Sequence, residues 1–263
     1  MQQKKCVVIT GGAGGIGLAL GRCYVADGCD VALLDIDAGS VSAAAEQLGG
    51  KTLGLACDVT DAKQCEQAIA QVVQQFGGID VLVNNAGISH RSRFIDTDLD
   101  VFRRVMEINF FGALYCTKFA MSALIARRGQ VVTISSVAGF APLYARTGYA
   151  ASKYALHGLF DTLRAELDEH GVAITIVCPS FVATAIEQRA LDKDGKPLGA
   201  RRVGIGKLMS PEAVAAKIHS AAQARKQLLL PSPVGKVAWV VSRFAPRFYA
   251  RQMTKRFSAE TAS

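Results

Sequence analysis

The sequence contains no CxxC pair, an odd count of seven cysteines, and a single tryptophan. An odd count excludes complete pairing. Several of Cys6, Cys23, Cys29, Cys57, Cys65, Cys116 and Cys178 sit inside apolar runs, so they read as small hydrophobes in a reducing compartment, not as a disulfide framework or a zinc site. No His, Cys, Asp and Glu set has metal-ligand spacing, and no metal is expected. Long apolar runs are missing too. None approaches the ~18 residues of a spanning helix, and the opening MQQKKCVVITGG is too short for a signal peptide. These absences lead to the expectation of a soluble, cytoplasmic protein. Charged residues are only 20% of the chain against 50% hydrophobic, and mean hydropathy is +0.23, which argues against disorder. Acids are scarce in one place above all. From Ser232 onward Lys236, Arg243, Arg247, Arg251, Lys255 and Arg256 face only Glu260, so most of the net charge of +8 belongs to the tail. Nothing in the body of the chain calls for nucleic acid.

What is present is an alternation. Short β-branched or apolar runs at 4–10, 29–35, 51–59, 79–87, 129–136, 171–180 and 227–231 are separated by stretches with helical patterning. In one such stretch Leu156, Leu159, Phe160, Leu163 and Leu167 repeat as on a core-facing helix. Strand–helix alternation over 263 residues predicts one α/β domain, a parallel sheet covered on both faces. The expected division is a catalytic domain over 1–231 and a basic amphipathic extension over 232–263. A charged, turn-rich insertion near 185–208 breaks the rhythm and reads as a mobile lid.

TGGAGGIG, Thr10 to Gly17, lies where the first strand would turn into the first helix. Glycines there allow a tight turn and let a pyrophosphate reach the free N–H groups of a helix start. An ordinary tight loop would look the same, so context decides. A strand precedes, a helix follows, and an acid, Asp35, ends the next strand 18 residues past Gly17. A carboxylate at that point accepts from ribose hydroxyls and repels a 2′-phosphate, which favours NAD over NADP. The bland alternative for Asp35 is a strand-end turn residue.

YAASK, Tyr149 to Lys153, places a phenol and an ammonium one helical turn apart on one face. Alone the pair is commonplace. Together with TGxxxGxG at 10–17, NNAG at 84–87, Asn109 in INFFG and Ser136, it resembles the short-chain dehydrogenase/reductase family over residues 4 to about 231. The resemblance implies a single doubly wound Rossmann-like domain with a seven-stranded parallel sheet in the order 3-2-1-4-5-6-7, followed here by a C-terminal helical extension. It implies a dinucleotide held by Gly11, Gly15, Ile16, Gly17 and Asp35, with Asp58 and Val59 at the adenine. Asn85, Ala86 and Gly87 would lie under the cofactor, Asn85 bracing the strands, and Pro179, Val182 and Thr184 near the nicotinamide. Ser180 departs from the family's usual glycine.

On this reading Tyr149 takes the proton of an alcohol while the carbinol carbon gives up its hydride. Lys153 lowers the phenol's pKa and holds the nicotinamide ribose. Ser136, 13 residues before Tyr149, hydrogen-bonds the substrate oxygen, with Ser135 the weaker candidate. Asn109 bends a helix and anchors a water that relays protons past Lys153. Individually each has an ordinary alternative: a cap, a kink, a core aromatic. His90, just past the fourth strand, reads as a solvated loop residue before it reads as a substrate contact.

Phe140, Leu143, Tyr144, Phe181 and Ile186 are expected to wall an apolar substrate pocket, suiting a hydrophobic secondary alcohol or ketone. An NADP-linked carbonyl or 3-oxoacyl reductase and a non-catalytic nucleotide sensor are the competing readings. By resemblance, helices within 98–127 and 148–169 would join a homodimer or homotetramer. In the tail, Val237, Val240, Val241 and Phe244 have helical spacing. Beyond Pro246, Arg247, Arg251 and Lys255 oppose Tyr249, Met253 and Phe257. That pattern fits peripheral membrane contact, a cover over the substrate mouth, or packing on another subunit. Packing on protein leads, because most amphipathic helices bury their apolar face that way.

Overall fold

The computed structural model describes residues 4–199 and 208–258. The end of the expected lid, 200–207, and the last residues of the tail lie outside them. In chain order the elements are β1 (Cys6–Thr10), α1 (Gly15–Ala26), β2 (Asp30–Asp35), α2 (Ala38–Leu48), β3 (Thr52–Ala56), α3 (Ala62–Phe76) and β4 (Val81–Asn84). Then come α4 (Leu99–Met106), α5 (Gly112–Ala126), β5 (Gln130–Ile134), α6 (Thr147–Glu166), β6 (Ala173–Val177), α7 (Pro211–Gln223), β7 (Leu228–Leu229), α8 (Pro233–Phe244) and α9 (Pro246–Phe257). The seven strands form one sheet in the order β3-β2-β1-β4-β5-β6-β7, every neighbouring pair parallel. Fold class and strand order match the resemblance.

The period-2 geometry of a strand splits the core in two. Val8, Ala32, Leu34, Leu82, Val131, Ile174 and Ile176 face the layer of α3, α5 and α6. Val7, Ile9, Val31, Leu33, Val83, Val132 and Val177 face α1, α2 and α7. A sheet buried on both sides has no use for alternating polar residues, which is why its strands read as plain apolar runs. Those runs overstate the strands at their C-terminal ends. β4 stops at Asn84, β5 at Ile134 and β6 at Val177, and the residues just beyond build the site.

Leu156 and Phe160 of α6 are fully buried, each worth roughly 1.5–3 kcal/mol of burial. They fix the helix that carries Tyr149 and Lys153 against the sheet. Between α4 and α5 the chain passes through a π-helical turn, Glu107–Phe111, without breaking. Counted through that turn, Leu99–Ala126 is long and apolar enough by composition to span a bilayer, contrary to the reading of the apolar runs. Its Cys116, Ala120 and Leu124 are instead fully buried in the core. All seven cysteines are free.

Candidate active site

The functional residues gather at the C-terminal ends of the central strands, where the connection direction reverses and an open α/β sheet leaves a crevice. Gly11 and Gly15 have φ of +61° and +54°, the left-handed region that favours glycine. A Cβ on Gly11 would stand 2.9 Å from the Ala86 Cα, so the turn lies directly against the end of β4. α2, α3, α4, α7 and α8 all start on an Asp or Ser side-chain cap, whereas α1 starts at Gly14 with none. Asp35 reaches over the same turn, its carboxylate accepting from the Ala13 N–H at 3.0 Å. Thr184 closes the other side: a Cβ on Gly15 would lie 3.2 Å from its methyl. Ile16 packs into the core behind the turn. A glycine cradle, uncapped helix N–H groups and a carboxylate at the end of β2 suit a dinucleotide with its pyrophosphate on the turn and its ribose at Asp35.

Asn85 ties two strand ends together. Its amide donates to the carbonyls of Thr10 at 3.0 Å and Gly11 at 2.9 Å, tying the end of β4 to the end of β1. Thr10 completes the brace, its hydroxyl accepting from the N–H of both Asn85 and Ala86. Asp58 accepts from the Thr60 N–H and hydroxyl, which shapes the turn after β3. The Val59 side chain is core, packed where a Cβ on Gly112 would fall. Pro179 accepts from the Val137 N–H, and Val182 pairs with Met209, so the segment from Pro179 to Thr184 is held at both ends. Ser180 has its own explanation. Its hydroxyl pairs at 2.8 Å with that of Ser232, the cap of α8, so the departure from glycine serves the joint with the C-terminal extension.

Ser136, Tyr149, Lys153 and Asn109 converge. Lys153 is buried, donates to the Ile134 carbonyl at 2.8 Å, and its ammonium stands 5.8 Å from the Tyr149 ring centre. A Cβ on Gly87 would lie 3.0 Å from the Asn109 oxygen and 3.5 Å from the Lys153 ammonium. Asn109 sits on the π-helical turn, accepts from the Ile88 N–H, and donates to the Ile88 carbonyl and the Ser152 hydroxyl. The widened turn is what lets a helical residue reach across to β4. Ser136 accepts from the Ala138 N–H, so it is a cap as well as a site residue. Ser135 bonds the Lys153 carbonyl and the His157 ring, a support beneath α6.

The electrostatics differ from the simple expectation. Burial pushes the Tyr149 phenol up to about 12, and a hydrogen bond with Ser136 and the charge of Arg146 pull against that rise. Burial also lowers the Lys153 ammonium to about 8. At Tyr149 desolvation outweighs that hydrogen bond and that charge, and the phenol is held protonated at neutral pH.

The structure corrects the expectations for His90 and Phe140 and adds Arg146. His90 is fully buried, not solvated. Its Nε2 accepts the Gly148 N–H at 2.9 Å, so the proton sits on Nδ1, which faces the Ser92 hydroxyl at 3.2 Å. It thus caps α6 one residue before Tyr149. Arg146, also buried, was not picked out. It donates to the Tyr144 carbonyl, lies 4.0 Å from Glu187 and stands 5.9 Å from the Phe257 ring centre. Its signal was only its place three residues before Tyr149. Phe140 does not line the cavity beside α9; it is buried edge-on against Trp239 of α8, ring centres 4.9 Å apart.

Burial and the charge of Arg146 lower His90 to about 4, against 6.5 for the free side chain. Between those values the unfolded chain binds a proton that the native one refuses, so this contribution to stability is present above pH 6.5 and is lost as pH falls towards 4. The stability margin of wild type over His90→Gln should therefore shrink across that window by an amount on the order of 3 kcal/mol at most. Urea unfolding at a series of pH values measures it, and parallel curves would remove His90 from this role.

The described part of the insertion is tied down. Leu191 exchanges backbone hydrogen bonds with Ser89 and Arg91 on either side of His90, and Lys193 accepts from the Asp98 N–H. α9 folds back on the body, burying Tyr249 and Phe257 and packing Met253 on the core. Between α9 and the Phe94–Ile95 turn lies a cavity of about 420 Å³ lined in part by Leu143 and Tyr144; Phe181 and Ile186, expected beside them, do not line it. Ala145 and Thr147 reach it from the catalytic side; Tyr149 does not line it.

This fold and site define a dinucleotide-dependent oxidoreductase. Residues 5–195 match the family model described as short chain dehydrogenase. The dehydrogenase/reductase SDR family member 7B of Bos taurus is 35% identical over 98% of this chain and 82% of that protein. A probable oxidoreductase EphD of Mycobacterium bovis is 32% identical over 92% of this chain and 43% of its own length. A short-chain dehydrogenase/reductase of Burkholderia phymatum, solved with NAD, superposes with a TM-score of 0.83 at 23% identity, over 94% of this chain and 96% of that one. An alcohol dehydrogenase of Thermococcus sibiricus, solved with 5-hydroxy-NADP, gives 0.74 at 24% identity over 86% and 94%. The chain belongs to the short-chain dehydrogenase/reductase family and is an NAD(P)-dependent oxidoreductase.

Proposed function

We propose that the protein interconverts a hydrophobic secondary alcohol and its ketone with NAD. The convergence of Tyr149, Lys153, Ser136 and Asn109 beside the glycine turn carries this reading. The oxidised dinucleotide, when bound, supplies the hydride acceptor and a positive charge near the phenol. Ser136 positions the substrate oxygen, and Tyr149 takes its proton during oxidation or returns it during reduction. Lys153 would hold the nicotinamide ribose and favours the phenolate. Asn109 sets the end of β4 against α6 and offers its polar edge beside the ammonium.

The preference for NAD rests on Asp35, poised over the glycine turn. Asp35→Ala should weaken NAD by roughly 10–100-fold, the worth of a hydrogen bond to a charged group, while improving NADP. Steady-state kinetics with both cofactors checks this; an unchanged preference would reverse the assignment. The apolar substrate is supported by the cavity beside the catalytic turn, with Phe94, Ile95, Leu143 and Met253 in its walls. A screen of secondary alcohols of increasing apolar length, read by cofactor absorbance, should show kcat/KM rising with length. Turnover confined to small polar alcohols would discard this substrate class. Homo-oligomerisation through the helices of 98–127 and 148–169 is supported by the groove between the π-helical turn and α6, lined by Phe110, Leu159 and Leu163.

A further inference from the structure

We propose that the outer face of α8, with the basic flank of α8 and α9, docks this enzyme on the surface of an anionic lipid bilayer. The proposal is independent of the substrate. α8 turns its small residues, Gly235 and Ala238, inward, and the inward side chains stop there and at Trp239 and Val241. Its larger apolar residues point the other way: Val234, Val237 and Val240 are 59%, 62% and 53% exposed and Phe244 is 85% exposed, with Phe248 following at 57% on α9. At 100° per residue Val234, Val237, Val240 and Phe244 fall within one third of the helix circumference, so they form a stripe. Among the described residues the fold leaves this stripe uncovered. α9, the neighbouring segment best placed to cover it, spends its own apolar side, Tyr249, Met253 and Phe257, on the body of the protein. The helix pair is therefore fixed in place with its outer stripe bare.

Charge decides what covers the stripe. Residues 232–258 carry Lys236, Arg243, Arg247, Arg251, Lys255 and Arg256 and no carboxylate. All six are exposed, and Arg243 stacks on the Trp239 ring at 3.1 Å from its centre. A second copy of this chain placed across a two-fold axis would set this patch against itself and oppose like charges. An apolar stripe edged by cations matches a bilayer, where the stripe enters the headgroup–acyl boundary and the cations meet anionic lipid. The long basic side chains can bury their stems while their charged ends stay at the headgroups.

The test is flotation of the full chain with vesicles of phosphatidylcholine alone or with about 30% phosphatidylserine, anionic enough to set a surface potential. Binding should appear with the anionic vesicles and fall steeply at 1 M salt, where the Debye length is about 3 Å. Val237→Ser/Val240→Ser/Phe244→Ser should release the protein. Lys236→Gln/Arg247→Gln/Arg251→Gln should lower the partition about fivefold per charge removed. Both variants should keep their turnover of a soluble alcohol, because none of these residues lies in the site. Absence of flotation, flotation indifferent to lipid charge, or flotation undiminished in the apolar variant would each overturn the proposal. If the apolar variant instead shifts the sedimenting mass with no lipid bound, the face belongs to a second copy.

Discussion

Tyr149→Phe should reduce turnover by a factor of a hundred to ten thousand, the usual worth of a positioned acid–base, while dinucleotide affinity stays as it was. The substitution removes one hydroxyl and keeps the ring, so α6 retains its packing and the cofactor cradle is untouched. The same loss should appear in both directions, because on the proposed mechanism one group gives and takes the same proton. In the wild type, burial holds the phenol up to about 12, which suits a proton donor for ketone reduction at neutral pH. Oxidation needs the phenolate, so its rate should climb with pH through the neutral and alkaline range. Single-turnover kinetics with NADH binding followed by fluorescence separate the two quantities. A Tyr149→Phe enzyme with more than about a tenth of the wild-type rate would take Tyr149 out of the chemistry and leave Ser136 or an ordered water in its place.

The path from sequence to that site was short where a local rule sufficed. The glycine turn at Gly11–Gly17, the acid at Asp35 and the Tyr149–Lys153 spacing each depend on residues within one strand–turn–helix or one helical turn, and the structure brings them together with Ser136 and Asn109. The sheet order came through the resemblance, since a run of buried strands carries no mark of its neighbours. Long-range burial was not legible. His90 looks solvated in the chain, yet Leu191, a hundred residues later, bridges over it. Phe140 looked like a pocket wall because nothing in its own segment announces Trp239 above it. The tail divided on the same ground. The period of Tyr249, Met253 and Phe257 named a buried face, and it is buried; Val237, Val240 and Phe244 have an equally good period and face outward. Periodicity gives the number of faces on a helix and not which of them the fold covers. On α8 the small residues mark the inner side, since Gly235 and Ala238 are the ones that lie buried.

Lys153→Met carries the second large expectation: a fall in kcat/KM of at least about a hundredfold with little change in thermal stability. The two readouts separate for a physical reason. Lys153 is 4% exposed, and its ammonium is held by the Ile134 carbonyl beside Gly87 and Asn109. Burial that lowers an ammonium to about 8 means the fold bears a desolvation cost to keep this charge. Methionine fills similar space without that cost but leaves the Ile134 carbonyl short of a donor, a penalty of roughly 1–3 kcal/mol that offsets the gain. Activity has no such compensation, because on the proposed mechanism the phenolate needs the Lys153 charge in addition to the Ser136 hydrogen bond and the Arg146 charge. With the cation gone the phenolate loses its proposed counter-charge, so residual oxidation should stay low across the pH range in which the wild-type rate climbs. Lys153→Arg preserves charge and should recover part of the rate, limited by a planar guanidinium where one compact ammonium fits. Initial rates across pH, set beside melting curves for all three proteins, test the argument. A Met variant that keeps its rate at neutral pH, or that loses rate only in step with its melting temperature, would mean the lysine is structural and the phenol titrates without it.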